Sequence, residues 1–103
     1  MLKHCVFLNL KSSAEMAAVR EALMLLSGLV GEVAGMIDFV EGPNRDFEQR
    51  SEGYGHGFIV TFADRPAHLA YEAHPDHVRA GAMLVEACRE GVEGIFVADL
   101  EVA

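Results

Sequence analysis

The residues able to do chemistry gather in one short string, Tyr71-Glu72-Ala73-His74-Pro75-Asp76-His77, with His4, His56 and Asp99 elsewhere in the chain. Tyr71 and His77 lie six positions apart, a spacing that would set them on different faces of an unbroken helix. His74-Pro75 interrupts that helix, because the residue before a proline avoids helical geometry. The interruption lets the two rings meet. A neutral imidazole near neutral pH can take a proton from an acidic carbon, and a tyrosine hydroxyl can steady the oxyanion that develops. Asp99 can orient the His77 imidazole and stabilise its cation, and His4 can act as a second donor in the same pocket. The plainer alternative is structural: Tyr71 and His77 lock the helix break by hydrogen bonds, and His4 is a satisfied core residue.

Other constellations are thinner. His74-x-x-His77 with His4 or His56 offers nitrogen ligands for zinc, but the spacing straddles a proline and no Cys or carboxylate completes the set. His68 is expected to be exposed. Cys5 and Cys88 form no disulfide framework. Their apolar surroundings predict buried thiols in a reducing cytoplasm, and a nucleophilic role would require access and a depressed pKa. Phe7, Phe58 and Phe96 read as packing.

The elements that must position these groups follow from periodicity. Residues 2–10 alternate as a strand, apolar on both faces near its middle. Ser12-Ser13-Ala14-Glu15 predicts a capping box, followed by a helix whose stripe is Met16, Val19, Leu23, Leu26 and Val30, fraying near Gly28 and Gly31. A second strand is expected over 35–41, stopped by Gly42-Pro43-Asn44, then a polar loop over 43–54, long enough to be mobile or to cover something. A third strand follows over 55–62. Asp64 caps a short helix with Pro66 in its first turn, ending near Tyr71. Pro75 opens another helix to about Arg89, and a fourth strand covers 95–102. The order β-α-β-β-α-β is the ferredoxin-like plan: an α+β fold, with a four-stranded antiparallel sheet and helices on one face. The other face should be polar in a monomer, yet Phe7 follows Val6, Ile59 sits between Phe58 and Val60, and Val97 sits between Phe96 and Ala98. An apolar patch left in water marks an interface, so a homodimer through the open sheet face is expected.

A length of 103 residues fits one domain, and no targeting segment is read at its start. The formal charge of −8 disfavours nucleic acid and anionic membranes. The basic residues look scattered, with no patch readable, and the apolar runs are too short to span a bilayer. A cytoplasmic protein is expected.

Lys3-His4-Cys5-Val6-Phe7-Leu8, Gly53-Tyr54-Gly55-His56 leading into Val60-Thr61-Phe62, and Ala70-Tyr71-Glu72-Ala73-His74-Pro75-Asp76-His77-Val78 together resemble the stress-responsive dimeric α/β-barrel family. The likeness spans essentially the whole chain, and Tyr-x-x-His-Pro-x-His is its most specific piece. The resemblance implies a homodimer whose two sheets form a barrel, with a small-molecule ligand between sheet and helices and no settled catalysis. It also implies an alternative, a cofactor-free cyclase or lyase like olivetolic acid cyclase, a plant polyketide cyclase of this family. On that likeness Tyr71, His77 and Asp99 match catalytic positions, and His4 and His56 match pocket histidines. Leu23 and Leu26 stand where that relative has bulky aromatics lining its substrate pocket. No cofactor is implied, except that some relatives hold a divalent cation through backbone carbonyls, which fall near Val30, Val33 and Met36 here. A weaker implication is a cofactor-free monooxygenase of the related dimeric-barrel type.

Overall fold

The computed structural model describes all 103 residues. Strand β1 (Leu2–Leu8) leads through a 3-10 turn at Ser13–Glu15 into helix α1 (Met16–Ser27). Strands β2 (Met36–Pro43) and β3 (His56–Phe62) follow, then helices α2 (Arg65–Ala73) and α3 (Pro75–Ala87), and finally strand β4 (Ile95–Glu101). The sheet order is β2-β3-β1-β4 and every pairing is antiparallel. This is the ferredoxin-like α+β arrangement expected from the element order.

Strand register decides what each face carries, because side chains alternate between faces. His4, Val6 and Leu8 of β1 lie opposite Val60, Phe58 and His56 of β3. All six are buried beneath the helices. Val19, Leu23 and Leu26 of α1 and Ala80, Leu84 and Ala87 of α3 close the core from above. The opposite parity carries Phe7, Ile59, Val40, Ala98, Phe96 and Leu100 on a face that no helix covers. Val40, Phe96 and Leu100 are each more than half exposed. Lys3, the cation of that face on β1, is tied down by donating to Thr61 Oγ1 at 2.9 Å. Cys5 shares this parity and is only half-buried, unlike Cys88, which is sealed in the core. The expectation of two buried thiols therefore fails for Cys5: its strand points it away from the helices.

Three local expectations change. The capping box forms by half, with Ser12 Oγ accepting from Ala14 N–H at 3.3 Å and the helix opening through a 3-10 turn instead. The polar loop is an ordered structure beside the open face. Asp46 Oδ1 accepts from Arg50 N–H, Ser51 N–H and the Ser51 hydroxyl at 2.9, 3.0 and 2.6 Å. Asn44 donates to Ser51 Oγ and the Tyr54 carbonyl at 2.9 and 2.7 Å. With Phe7, Val40 and Ile59 the loop walls a groove of about 710 Å³, into whose rim Phe47 projects, 89% exposed. The helix ending near Tyr71 in the sequence reading continues to Ala73.

The break between α2 and α3 is built around His74, which is extended at φ −65°, ψ 136° and closes one helix while opening the next. Its Nδ1 accepts from Asp76 N–H at 3.0 Å, the work an N-cap oxygen usually does. Its Nε2 then carries the proton and faces Glu32 Oε1 at 3.3 Å. Replacing His74 with Ala should cost about 1 kcal/mol, with Asn restoring most of it. Urea denaturation midpoints check this; equal midpoints for His74→Ala and wild type would contradict the capping role.

Candidate functional site

The register that sets His4 on the buried face also sets Asp99 directly opposite it on β4. His4 Nδ1 lies 2.6 Å from Asp99 Oδ1, with Asp99 the more exposed partner, so the pair stands at the rim of the helix layer. Asp99 thus orients His4 and not His77, contrary to the sequence reading. β1–β4 pairing fixes its partner before any helix is placed.

Tyr71 and His77 do meet. Their rings approach edge-to-face with centroids 4.6 Å apart, across the kink that His74-Pro75 makes. Tyr71 is buried almost completely and packs on Phe62 at 5.0 Å. His4 lies 6.2 Å from Tyr71 by ring centroids. The structure therefore gathers His4, Tyr71 and His77 in one cluster, with Asp99 joined to it through His4.

The cluster has a member the sequence reading set aside. His68, expected to be exposed, is 4% exposed, and its ring lies 4.6 Å from that of His4 and 5.2 Å from that of Phe62. The signal was its spacing: three residues before Tyr71 on one helix, it shares Tyr71's inward face. Arg65 can only donate, so its contact of 2.6 Å with His68 Nδ1 makes that nitrogen the acceptor and leaves the proton on Nε2. Glu72 Oε1 lies 3.2 Å from that Nε2, but the alignment makes no hydrogen bond.

His56 is not part of the cluster. It sits opposite Leu8, at the other end of β3 from Val60, which faces His4. Leu26 is sealed in the core, and Leu23 borders a small hollow with Phe39 and Glu41 on the β2 side. Five surface cavities lie elsewhere, none of them lined by His4, Tyr71 or His77.

Two cation sites can be tested against the residues. His4, His68 and Asp99 offer ligand atoms within 4.8 Å of one another. The donor set does not suit an ion, because the Arg65 guanidinium occupies His68 Nδ1 and leaves the proton on Nε2, so neither ring nitrogen is free to ligate. At Val30, Val33 and Met36 the chain makes a tight turn, with Gly31 and Gly35 at φ 89° and 85°. The Val33 carbonyl there accepts from Met36 N–H at 3.1 Å, and Val33 N–H donates to the Leu29 carbonyl at 2.9 Å. Of the three carbonyls named for a cation, Val33's is thus already engaged within the turn.

Electrostatics poise the cluster. Burial lowers the His77 pKa, opposed by the Glu72 carboxylate and carbonyl, so its ring is neutral near pH 7 and free to accept a proton. Burial and the nearby His4 lower His68. Burial, helped by Glu72, raises the Tyr71 hydroxyl, which stays a proton donor.

The stress-responsive A/B barrel domain model matches residues 2–102. The stress-response A/B barrel domain-containing protein HS1 of Arabidopsis thaliana is 30% identical over 77 residues, covering 75% of this chain and 71% of that protein. A dimeric ferredoxin-like protein from Jannaschia sp. superimposes with a TM-score of 0.94 at 50% identity, covering 98% of each chain. A hydroxynitrile lyase from Passiflora edulis shares the fold, with a TM-score of 0.78 at 19% identity over 99% of this chain and 93% of that one.

Lowered histidine pKa values have a sign that can be measured. The unfolded chain binds protons near the ordinary histidine value of about 6.5, which the folded His68 and His77 refuse. Stability should therefore fall as pH drops from about 7.5 to about 5. Urea midpoints across that window check it. His77→Gln should flatten the slope; a wild-type midpoint that does not move would contradict the burial of neutral imidazoles.

Proposed function

The chain belongs to the stress-responsive A/B barrel domain family, and on that footing we propose that two copies pair through their open sheet faces into an α/β barrel, each holding a small-molecule site at the His4–His68–Tyr71–His77 cluster. The dimeric state of the Jannaschia relative supports the pairing. The apolar face left uncovered by α1, α2 and α3 supports it independently.

One observation carries the binding site: His68 Nε2 and His77 Nδ1 are buried and have no hydrogen-bond partner. A buried polar atom left unpaired costs about 1–3 kcal/mol. A ligand that accepts from His68 and bonds to His77 recovers that cost. The aromatic rings of Phe62 and Tyr71 beside those nitrogens favour a compact, mainly apolar molecule with a carbonyl or hydroxyl group.

Acid–base catalysis without a cofactor is the second reading, favoured by the edge-on contact of Tyr71 and His77. A neutral His77 takes the proton from a carbon next to a carbonyl. The Tyr71 hydroxyl donates to the oxygen on which charge develops, and His77 returns the proton. Asp99 keeps His4 oriented beside them. In chemistry of the cyclase type, as in olivetolic acid cyclase, the carbanion so formed would add to a second carbonyl of the same molecule, whose oxygen takes the proton from His77; in the reverse, lyase direction His77 would take a hydroxyl proton as the carbon–carbon bond breaks.

Saturation-transfer NMR against small ketones, β-diketones and phenols tests the site. Compounds should bind wild type and bind roughly tenfold more weakly to His77→Ala and Tyr71→Phe, with circular dichroism confirming that both variants fold. An empty screen, or unchanged binding in both variants, would overturn the reading. Deuterium exchange at the α-carbon of a bound β-diketone, faster with wild type than with His77→Ala, decides for catalysis over binding alone.

A further inference from the structure

The chain has 16 acidic residues and 8 Lys or Arg, yet the fold brings three of those cations around one hollow. A cavity of about 540 Å³ opens at the end of the sheet where β1 leaves for α1. Lys11, Arg20, Arg89 and His56 line it together with Ser12 and Ser13, and no carboxylate does. None of Lys11, Arg20 and Arg89 has a carboxylate oxygen within ion-pair distance. In a molecule this acidic, so one-sided a lining is a property of the fold, invisible in a chain where these residues are far apart.

Backbone bonds bring two of the cationic residues to the same end of the sheet. Lys11 N–H donates to the Ala87 carbonyl at 3.0 Å, and Arg89 N–H donates to the Asn9 carbonyl at 2.8 Å. Those two bonds pin the end of α3 to the segment after β1. Lys11 also borders a second hollow that holds Glu15 and Glu86, and Arg20 borders the one that holds Leu23 and Glu41, so Arg89 is the cation given most fully to the first. At the floor His56 is 8% exposed, and its Nε2 has no hydrogen-bond partner. Glu41 Oε2 lies 3.5 Å from that nitrogen, outside the lining. Three cations with no carboxylate partner around one concavity are answered by an anion.

We infer that this cavity binds the oxyanion group, phosphate or carboxylate, of a small molecule. Arg20 and Arg89 supply guanidinium forks suited to two oxygens at once. Lys11 adds a point charge, the Ser12 and Ser13 segment adds polar groups, and the His56 ring borders the cavity. The site is separate from the His–Tyr cluster, because His56 and the partner of His4 lie four positions apart on β3, about 13 Å along the strand.

Titration with sodium phosphate and, separately, sodium acetate at constant ionic strength tests it, read by backbone amide and imidazole NMR shifts. Saturable shifts at Ser13, Gly55 and His56 are expected for at least one of the two, and which one it is names the group. The exposed Arg20→Gln and Arg89→Gln together should weaken binding roughly tenfold or more, while Arg79→Gln, outside the cavity, leaves it unchanged. Shifts that never saturate and that sodium chloride reproduces, or an affinity unmoved by the double variant, would overturn the site. Ketone or phenol binding at the His77 cluster should survive the double variant, so the two sites stand or fall separately.

Discussion

A four-stranded sheet with one helical layer can hide only one of its faces, and both faces of this sheet are apolar at the centre. Everything else follows from how that conflict is met. Val6, Leu8, Phe58, Val60 and Phe62 take the helical side and are buried within the chain. Phe7, Ile59, Val40, Phe96 and Leu100 take the other and find no cover in a single copy. At about 25 cal/mol per Å² of apolar surface removed from water, a second sheet laid against this one gains energy that no rearrangement of the helices could provide. The 44–51 loop, rigid with internal hydrogen bonds and carrying an exposed Phe47, extends the same face.

The same register that sorts apolar residues places the polar ones. Because β1 is flanked by β3 and β4, each inward residue of β1 meets a partner on both sides, and at His4 those partners are Val60 and Asp99. The helices then bring Tyr71, His68 and His77 over that spot, and the kink at His74-Pro75 lets the last of these turn inward. A cluster of imidazoles is thereby gathered with two buried ring nitrogens, His68 Nε2 and His77 Nδ1, left without a hydrogen-bond partner.

Much of this was legible in the chain. Element order, the doubly apolar strands and the helix break all follow from local pattern, since alternation, capping residues and proline act within a few positions. The meeting of Tyr71 and His77 was legible for the same reason. What escaped the sequence depended on pairing between distant segments. Asp99 belongs to His4 because of strand register, which no spacing between residues 4 and 99 encodes. His68 looked like one more polar residue on a short helix until its place over His4 was known, although its three-residue offset from Tyr71 pointed inward. Lys11, Arg20 and Arg89 read as scattered because the bonds that pin Asn9 and Lys11 to the end of α3 join residues far apart in sequence. The cap at His74 was hidden because imidazole seldom does the work of a Ser or Asp oxygen.

The claim beneath the rest is that one copy of this chain cannot satisfy its own sheet. Sedimentation equilibrium at low micromolar concentration tests it most directly. A particle of twice the 11.2 kDa chain mass is expected, broken into single chains when Phe96 is changed to Asp. A stable, folded particle of one chain mass across that range would contradict it.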